Sequence, residues 1–430
     1  MRKINIHWFR KDLRIHDNYI LSSLNSYCQN SVFIYIIDES NYKKLNNGLI
    51  KTGPYRTKFL FETLLDLDKS LSKFNQKLYV YYGKTEEIFS SLYEELKFDS
   101  ISYQADSNFE EVNIVKKVLS NLPNDISIKN YYDQTLIHPD DLPFKINQLD
   151  DIFTNFRKKV EKNLIIKDLY KVDSLPKPIE LDYKIDWKSD FFNLEMKNQS
   201  PKSAIQFIGG ESSAINRLNN YFYLTDNISR YKETRNGLLS ADYSSKFSAW
   251  LANGSLSPRF IYWKLKEYEK ERINNQSTYW LLFELLWRDY FKFVAMKYGK
   301  KIFFKSGLRN KTTEYSNDFN LFQKWINGDT NEKFVNANMI ELKESGFMSN
   351  RGRQNVMSYL VHDLGIDWRW GAEYFESMLI DYDVESNWGN SQYIAGVGND
   401  PRENRKFNIK RQQDMYDPEN KYINYWLAKG

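Results

Sequence analysis

The chain has 430 residues, 41% of them hydrophobic and 27% charged, with a net charge of +5 and one cysteine. That length suits two or three domains with their own cores, and the composition excludes wholesale disorder. The lone Cys28 excludes a disulfide framework and a multi-cysteine zinc site, while the mild basic excess permits a polyanionic partner without requiring one.

The N-terminus, MRKINIHWFRKDLRIH, is basic but lacks an uninterrupted apolar core, so it does not read as a signal peptide. Short β-branched and aromatic runs follow at 4–9, 32–38, 78–83 and 100–105, with a candidate fifth strand near residue 127. Helical patterns separate them, notably from Tyr55 and over 108–120. Strands alternating with helices predict a parallel, Rossmann-like α/β domain over residues 1–130. Residues 131–200, with Pro139, Pro143, Pro176 and Pro178, read as a loop-rich interdomain linker. From 201 to 430 the pattern is helical throughout, including helices at 278–298 and 350–361. The longest apolar stretch, YWLLFELLWRDYFKFVAM, is broken by Glu284, Arg288 and Asp289, so no membrane span is expected and a soluble, cytoplasmic protein is.

Four places in the helical half concentrate polar chemistry. In DYSSKFSAWL, Ser244, Ser245 and Ser248 stand at a helix start, where hydroxyls and backbone N–H groups either cap the helix or hold a phosphate. On the 278–298 helix, Trp280, Glu284, Trp287, Arg288 and Phe291 share one broad face. That face is either a surface Glu284–Arg288 pair or a concave aromatic site with a buried carboxylate. The next helix aligns Asn350, Arg353, Gln354 and Met357. The stretch IDYDVESNWGNSQY then holds Asp381, Asp383, Asn387 and Trp388.

HExxH, P-loop, GxGxxG and GxSxG motifs are missing, and His7, His16, His138 and His362 are scattered, so neither a metal nor a protein nucleophile is expected. The remaining reading is a cofactor with its own reactivity, oriented by the protein.

IHWFRKDLRIHDN (6–18), SSKFSAWLANGSLSPR (244–259), FELLWRDYF (283–291), MSNRGRQN (348–355), and DYDVESNWGN with AGVGNDPRENRKFNI (381–409) together resemble the photolyase/cryptochrome family, most closely its DASH-type cryptochromes. The resemblance spans nearly the whole chain. It implies an all-α FAD-binding domain after the α/β domain, and light-driven repair of cyclobutane pyrimidine dimers by an electron from reduced FAD. Single-stranded DNA would be the preferred partner of a monomeric enzyme. It implies further that Ser244, Ser245, Lys246, Phe247 and Ser248 cradle the FAD diphosphate with Tyr231 nearby, and that Arg353 pairs with Asp381. Asp383 would hold the ring's polar rim, Asn387 would face flavin N5, and Arg288 and Asn350 would complete the pocket. Glu284 would hydrogen-bond the dimer, Trp287 and Tyr393 would sandwich the flipped bases, and Gln354 would line their pocket. FMSNRGRQN contains no histidine, which favours cyclobutane dimers over (6-4) photoproducts. Arg402, Arg405 and Lys406 are candidate phosphate contacts, and Glu110 and Glu111 candidate ligands of a methenyltetrahydrofolate antenna.

Members of the family commonly photoreduce their flavin through three tryptophans. Here the middle position falls at Trp368, the outer at Tyr315, and the one nearest the flavin at Ser391, with Trp388 as a possible substitute. Two other functions compete with repair: a blue-light photoreceptor, and a DNA-binding flavoprotein without repair activity. The chain ends at Gly430 with no long extension of the kind signalling members carry.

Overall fold

The computed structural model describes residues 3–45, 48–399 and 405–428. Six parallel strands form one sheet: β1 (Ile4–Phe9), β2 (Asn30–Asp38), β3 (Leu78–Gly83), β4 (Ser100–Gln104), β5 (Ser127–Tyr131) and β6 (Lys177–Pro178). The order is β3-β2-β1-β4-β5, with β6 added to β2. Helices cover both faces, so the central strands are near-continuous apolar runs rather than alternating ones. The strand order reverses beside β1, and the turn leaving that strand, residues 10–17, faces the helical half.

The segment from 131 to 200 is not an open linker. Its β6 pairs Lys177 with Asn30 and Pro178 with Ser31. Its helix Phe153–Lys162 buries Phe153, Phe156 and Val160 in the core of the helical half. The i, i+3, i+7 spacing of those three residues carries the signal, which the prolines and charges around it obscured.

Beyond residue 209 no strand occurs among the described residues. One helical core gathers around Trp250, Leu286 and Tyr290, a second around Trp325, Leu360 and Trp368. The halves are locked together. Helix Pro54–Ser72 sends Tyr55 and Phe59 into the first helical core, and the Tyr55 hydroxyl donates to Lys343 O at 2.9 Å. Arg14 donates to Gly254 O at 2.9 Å, and Arg259 pairs with Asp17 at 2.8 Å and also with Asp133. Gly254 has φ +76°, and a Cβ there would lie 1.7 Å from Lys11 O, so only glycine permits this contact. None of the described helices is long and apolar enough to cross a membrane.

Candidate functional site

A cavity of about 440 Å³ opens between helices Gln276–Tyr298, Asn350–His362 and Val384–Ala395 and the 231–248 loop. Every residue expected to touch flavin or lesion lies in its wall. The relay tryptophan Trp368 does not, being buried in the second helical core.

The serine loop is shaped from behind. Arg217 donates to Ser245 O (3.0 Å), Ser244 O (3.1 Å) and Ala241 O (3.1 Å), occupying those carbonyls on the side of the loop it packs against. Lys246 takes φ +61° to make the bend, and a short helix starts at Ser248. Tyr231 is buried nearby in the same wall.

Helix Gln276–Tyr298 begins at Asn275, whose side chain accepts from the N–H groups of Ser277 and Thr278. About two turns in, Glu284 pairs with Arg235 at 2.6 Å, not with Arg288. The surface i, i+4 alternative is therefore set aside. Burial pushes the Glu284 carboxyl above its ordinary range, against the pull of Arg235. Arg288 instead donates to Leu251 O (3.0 Å) and Gln134 O, and lies 3.8 Å from Asp383.

Trp287 stacks on Phe153 at 3.7 Å with 13° between planes, leaving its other face to the cavity. Tyr393 stands at 78° to it with centroids 6.2 Å apart. The expected parallel sandwich is thus not the geometry found: the rings meet edge to face and leave no slot for a base between them. They form two walls at a right angle, able to meet a base by its face and its edge. Gln354 accepts from Arg351 at 2.9 Å and lines the same end, as does Asn350.

At the other end Arg353 Nη2 donates to both oxygens of Asp381, at 2.9 and 2.8 Å, while its Nε donates to Met348 O. Asp383 caps the next helix by accepting from Ser386 N–H, and Lys292 lies 3.0 Å from it. Burial alone would raise the Asp383 carboxyl. Lys292, Arg288 and Lys11 overcome that and hold it well below the usual carboxylate range. Asn387 donates its Nδ2 to Ala372 O at 3.0 Å. Its carbonyl oxygen, which accepts nothing from the described residues, is left as the group Asn387 can offer the cavity.

Glu110 pairs with Lys51 at 2.5 Å, and Glu111 with Arg10. Both stand near the seam between the halves, since Lys51 also reaches Glu376 of the helical half at 4.0 Å. Arg405 donates to the Tyr393 hydroxyl and lies 4.0 Å from that ring's centroid, at the edge of the cavity. Lys406 pairs with Asp363 at 2.6 Å. Arg402 lies outside the described residues. Ser391 lines the cavity and donates its hydroxyl to Asn387 O at 2.8 Å. Trp388 sits 5.7 Å from Trp368 and donates to the Tyr382 hydroxyl at 3.1 Å, while Tyr315 packs at the margin of the same core.

Sequence reasoning missed Arg235, Lys292 and Asn390. Lys292 follows Arg288 by four residues and Asn390 follows Asn387 by three, so helical spacing marks both. Arg235 is brought in by a loop, and no local pattern marks it.

Among the described residues, no group of three or more His, Cys, Asp or Glu side chains could hold a metal ion. The donor set suits an organic anion with a polar heteroaromatic ring: loop hydroxyls, a buried amine, an Arg–Asp pair and an amide carbonyl facing one cavity.

Comparison with known proteins agrees. Residues 5–178 match the family described as DNA photolyase, and residues 280–429 the FAD binding domain of DNA photolyase. Cryptochrome DASH of Synechocystis sp. is 46% identical over 98% of this chain and 87% of its own length. That of Xenopus laevis is 44% identical over 98% and 82%, and a relative from Oryza sativa, 42% identical over 99% and 77%, is named chloroplastic/mitochondrial. The crystal structure of the Synechocystis sp. cryptochrome superposes with a TM-score of 0.95 at 45% identity, covering 99% of this chain and 89% of that one. An archaeal photolyase from Sulfolobus tokodaii, crystallised with two FAD molecules, gives 0.82 at 26% identity over 99% and 90%. Sheet, helical domain, cavity and relatives agree: the chain belongs to the photolyase/cryptochrome family and groups with its DASH cryptochromes.

Proposed function

We propose that this protein uses blue light to repair cyclobutane pyrimidine dimers in DNA, preferring single strands. The observation that carries the reading is one cavity whose wall holds two chemically distinct sets of residues. One suits a flavin: Arg353–Asp381, Asp383 and Asn387; the other suits bases: Glu284, Trp287, Gln354 and Tyr393. No histidine lines it, in keeping with cyclobutane dimers rather than (6-4) photoproducts.

FAD, when bound and reduced, supplies one electron to the dimer and recovers it after the two cyclobutane C–C bonds open, so the reaction is redox-neutral. The chain's part is positional and electrostatic. The Ser244–Ser248 loop holds the diphosphate, and Arg353–Asp381 and Asp383 hold the ring's polar edge. Asn387 offers a carbonyl to a protonated ring nitrogen. Glu284, whose carboxyl burial raises against the pull of Arg235, hydrogen-bonds the dimer where negative charge develops. Trp287 and Tyr393 support the extruded bases, and extrusion costs less from a single strand, where no partner base is lost.

The antenna reading places methenyltetrahydrofolate near Glu110 and Glu111, and the cytoplasm remains the proposed location for a monomeric enzyme. The test is illumination of the reduced protein with thymine-dimer oligonucleotides, single- and double-stranded, measuring repaired thymine. Repair of single strands well ahead of duplex is expected; equal repair of both points to a conventional dimer photolyase, and none to a photoreceptor. Single-strand affinity should fall with salt at a log–log slope of about −0.7 per phosphate contact. Salt-independent binding would remove the phosphate contacts, Arg405 first among them.

The Asp381→Ala protein should lose FAD on purification while Glu284→Ala retains it. Breaking a buried ion pair costs about 3–5 kcal/mol, and the partial exposure of Arg353 puts this one at the low end. Flavin-to-protein absorbance ratios of the two purified variants decide it, and equal occupancy would refute the assignment.

A further inference from the structure

Lys246 is in an unusual position for a lysine. The residue is 3% exposed, and its Nζ has no hydrogen-bond partner among the described residues. The nitrogen lies 3.2 Å from the centroid of the Tyr243 ring and 4.8 Å from that of Phe347. No carboxylate of the described residues forms an ion pair with it. The nearest candidates are already engaged: Glu341 accepts from the Tyr422 hydroxyl at 2.6 Å, and Asp381 is paired with Arg353. Two guanidinium groups, of Arg217 and Arg353, also act on it. Lys246, Tyr243, Phe347, Arg353 and Asp381 line the cavity, and Lys246 belongs to the loop assigned to the diphosphate.

An ammonium group buried without an anion is strongly disfavoured, and the two ring faces repay only part of the lost hydration. Burial accordingly lowers the Lys246 amine well below its ordinary range. Arg217 and Arg353 push the same way, and Glu341 and Asp381 oppose them. A diphosphate brings the missing anion.

We propose that Lys246 is a proton-coupled counter-ion for FAD: its amine is neutral before the cofactor binds and takes up one proton from solvent as the diphosphate arrives. The amine gains the proton, no covalent bond of FAD changes, and the buried charge is neutralised in place. The inference rests on the cavity being the FAD site. It adds that cofactor loading is linked to pH through a residue that touches neither flavin ring nor DNA.

The test is calorimetric titration of the flavin-depleted full chain with FAD at pH 8.5, in two buffers of different ionisation enthalpy. The dependence of the heat on the buffer gives the protons taken up. About one proton per FAD is expected for the protein as it stands, and about none for Lys246→Arg, whose guanidinium is always charged. Lys246→Met should bind FAD more weakly, also without uptake, and riboflavin, which lacks the diphosphate, should bind with none. No uptake by the unaltered chain would show that Lys246 is charged from the start and overturn the proposal. Uptake that persists in Lys246→Arg would overturn it too, and transfer the proton to Glu341, whose carboxyl burial raises to about 7. Absence of any binding heat with FAD would instead refute the cofactor site itself, and the proposal with it.

Discussion

Under blue light with an external thiol, the oxidised FAD of this protein should lose its absorbance slowly, and Ser391→Trp should accelerate the loss by at least an order of magnitude. The reason is a gap in the electron path. Trp368 is fully buried and 5.7 Å from Trp388, so these two indoles form a competent pair. The position next on the way to the cavity holds Ser391, whose hydroxyl is spent on Asn387 O and which has no accessible oxidation. Trp388 is one step round the helix from Asn387, outside the cavity wall, and donates to the hydroxyl of Tyr382, which lines it. In this path Trp388 would donate toward a bound flavin, Trp368 would refill Trp388, and the electron supplied by the thiol would enter through Tyr315 at the margin of the same core. Trp388→Phe should therefore abolish the residual reduction. Fast reduction in the unaltered protein, unaffected by Trp388→Phe, would show that electrons enter elsewhere. Repair after chemical reduction should be the same in all three proteins, since the path supplies the flavin and does not touch the dimer.

Glu284→Ala should leave FAD occupancy unchanged and cut the yield of dimer splitting per absorbed photon. A hydrogen bond to a charged group is worth about 1.5–3 kcal/mol, which corresponds to roughly ten- to hundredfold in the competition between bond opening and electron return. Glu284→Gln retains a donor and should fall between the two. Arg235→Ala tests the arrangement from the other side: without the guanidinium 2.6 Å away, the Glu284 carboxyl is held protonated to higher pH, and the pH range of efficient splitting should extend upward. Unchanged yield in Glu284→Ala would remove the carboxyl from the chemistry.

The sheet was readable because each of its strands β1 to β5 is a compact β-branched or aromatic run with a helix between it and the next. The two-residue β6 has no such run; it exists only because β2 offers a vacant edge, and so sequence reading turned it into linker. The flavin end of the cavity was readable because its residues come in short motifs on three helices. Of the charges that complete the site, Arg235 was not, because a loop carries it in; helical spacing marks Lys292, but its pairing with Asp383 joins parts of the chain that only the tertiary fold brings together. The stacking of Trp287 on Phe153 was hidden for the same reason: Phe153 belongs to a segment read as irregular.

The ties between residues 11–17 and 253–259 bear on the order in which this protein is made. Arg14 and Gly254 are 240 positions apart, and Arg259 and Asp17 are 242. As the N-terminal half leaves the ribosome, Asp17 and Asp133 have Arg14 nearby but not Arg259, and the turn after β1 has no Gly254 backbone to rest on. Asp133 acquires its second cation, and the Asp17 carboxylate its ion-pair partner, only after more than half the chain has been synthesised. Such long-range closure slows the final step of folding, because so much chain must be ordered before the contact returns anything. Although the two halves differ in architecture, the first is completed by the second, and a nascent chain stopped before residue 253 holds a sheet whose central strand ends in an unfinished turn.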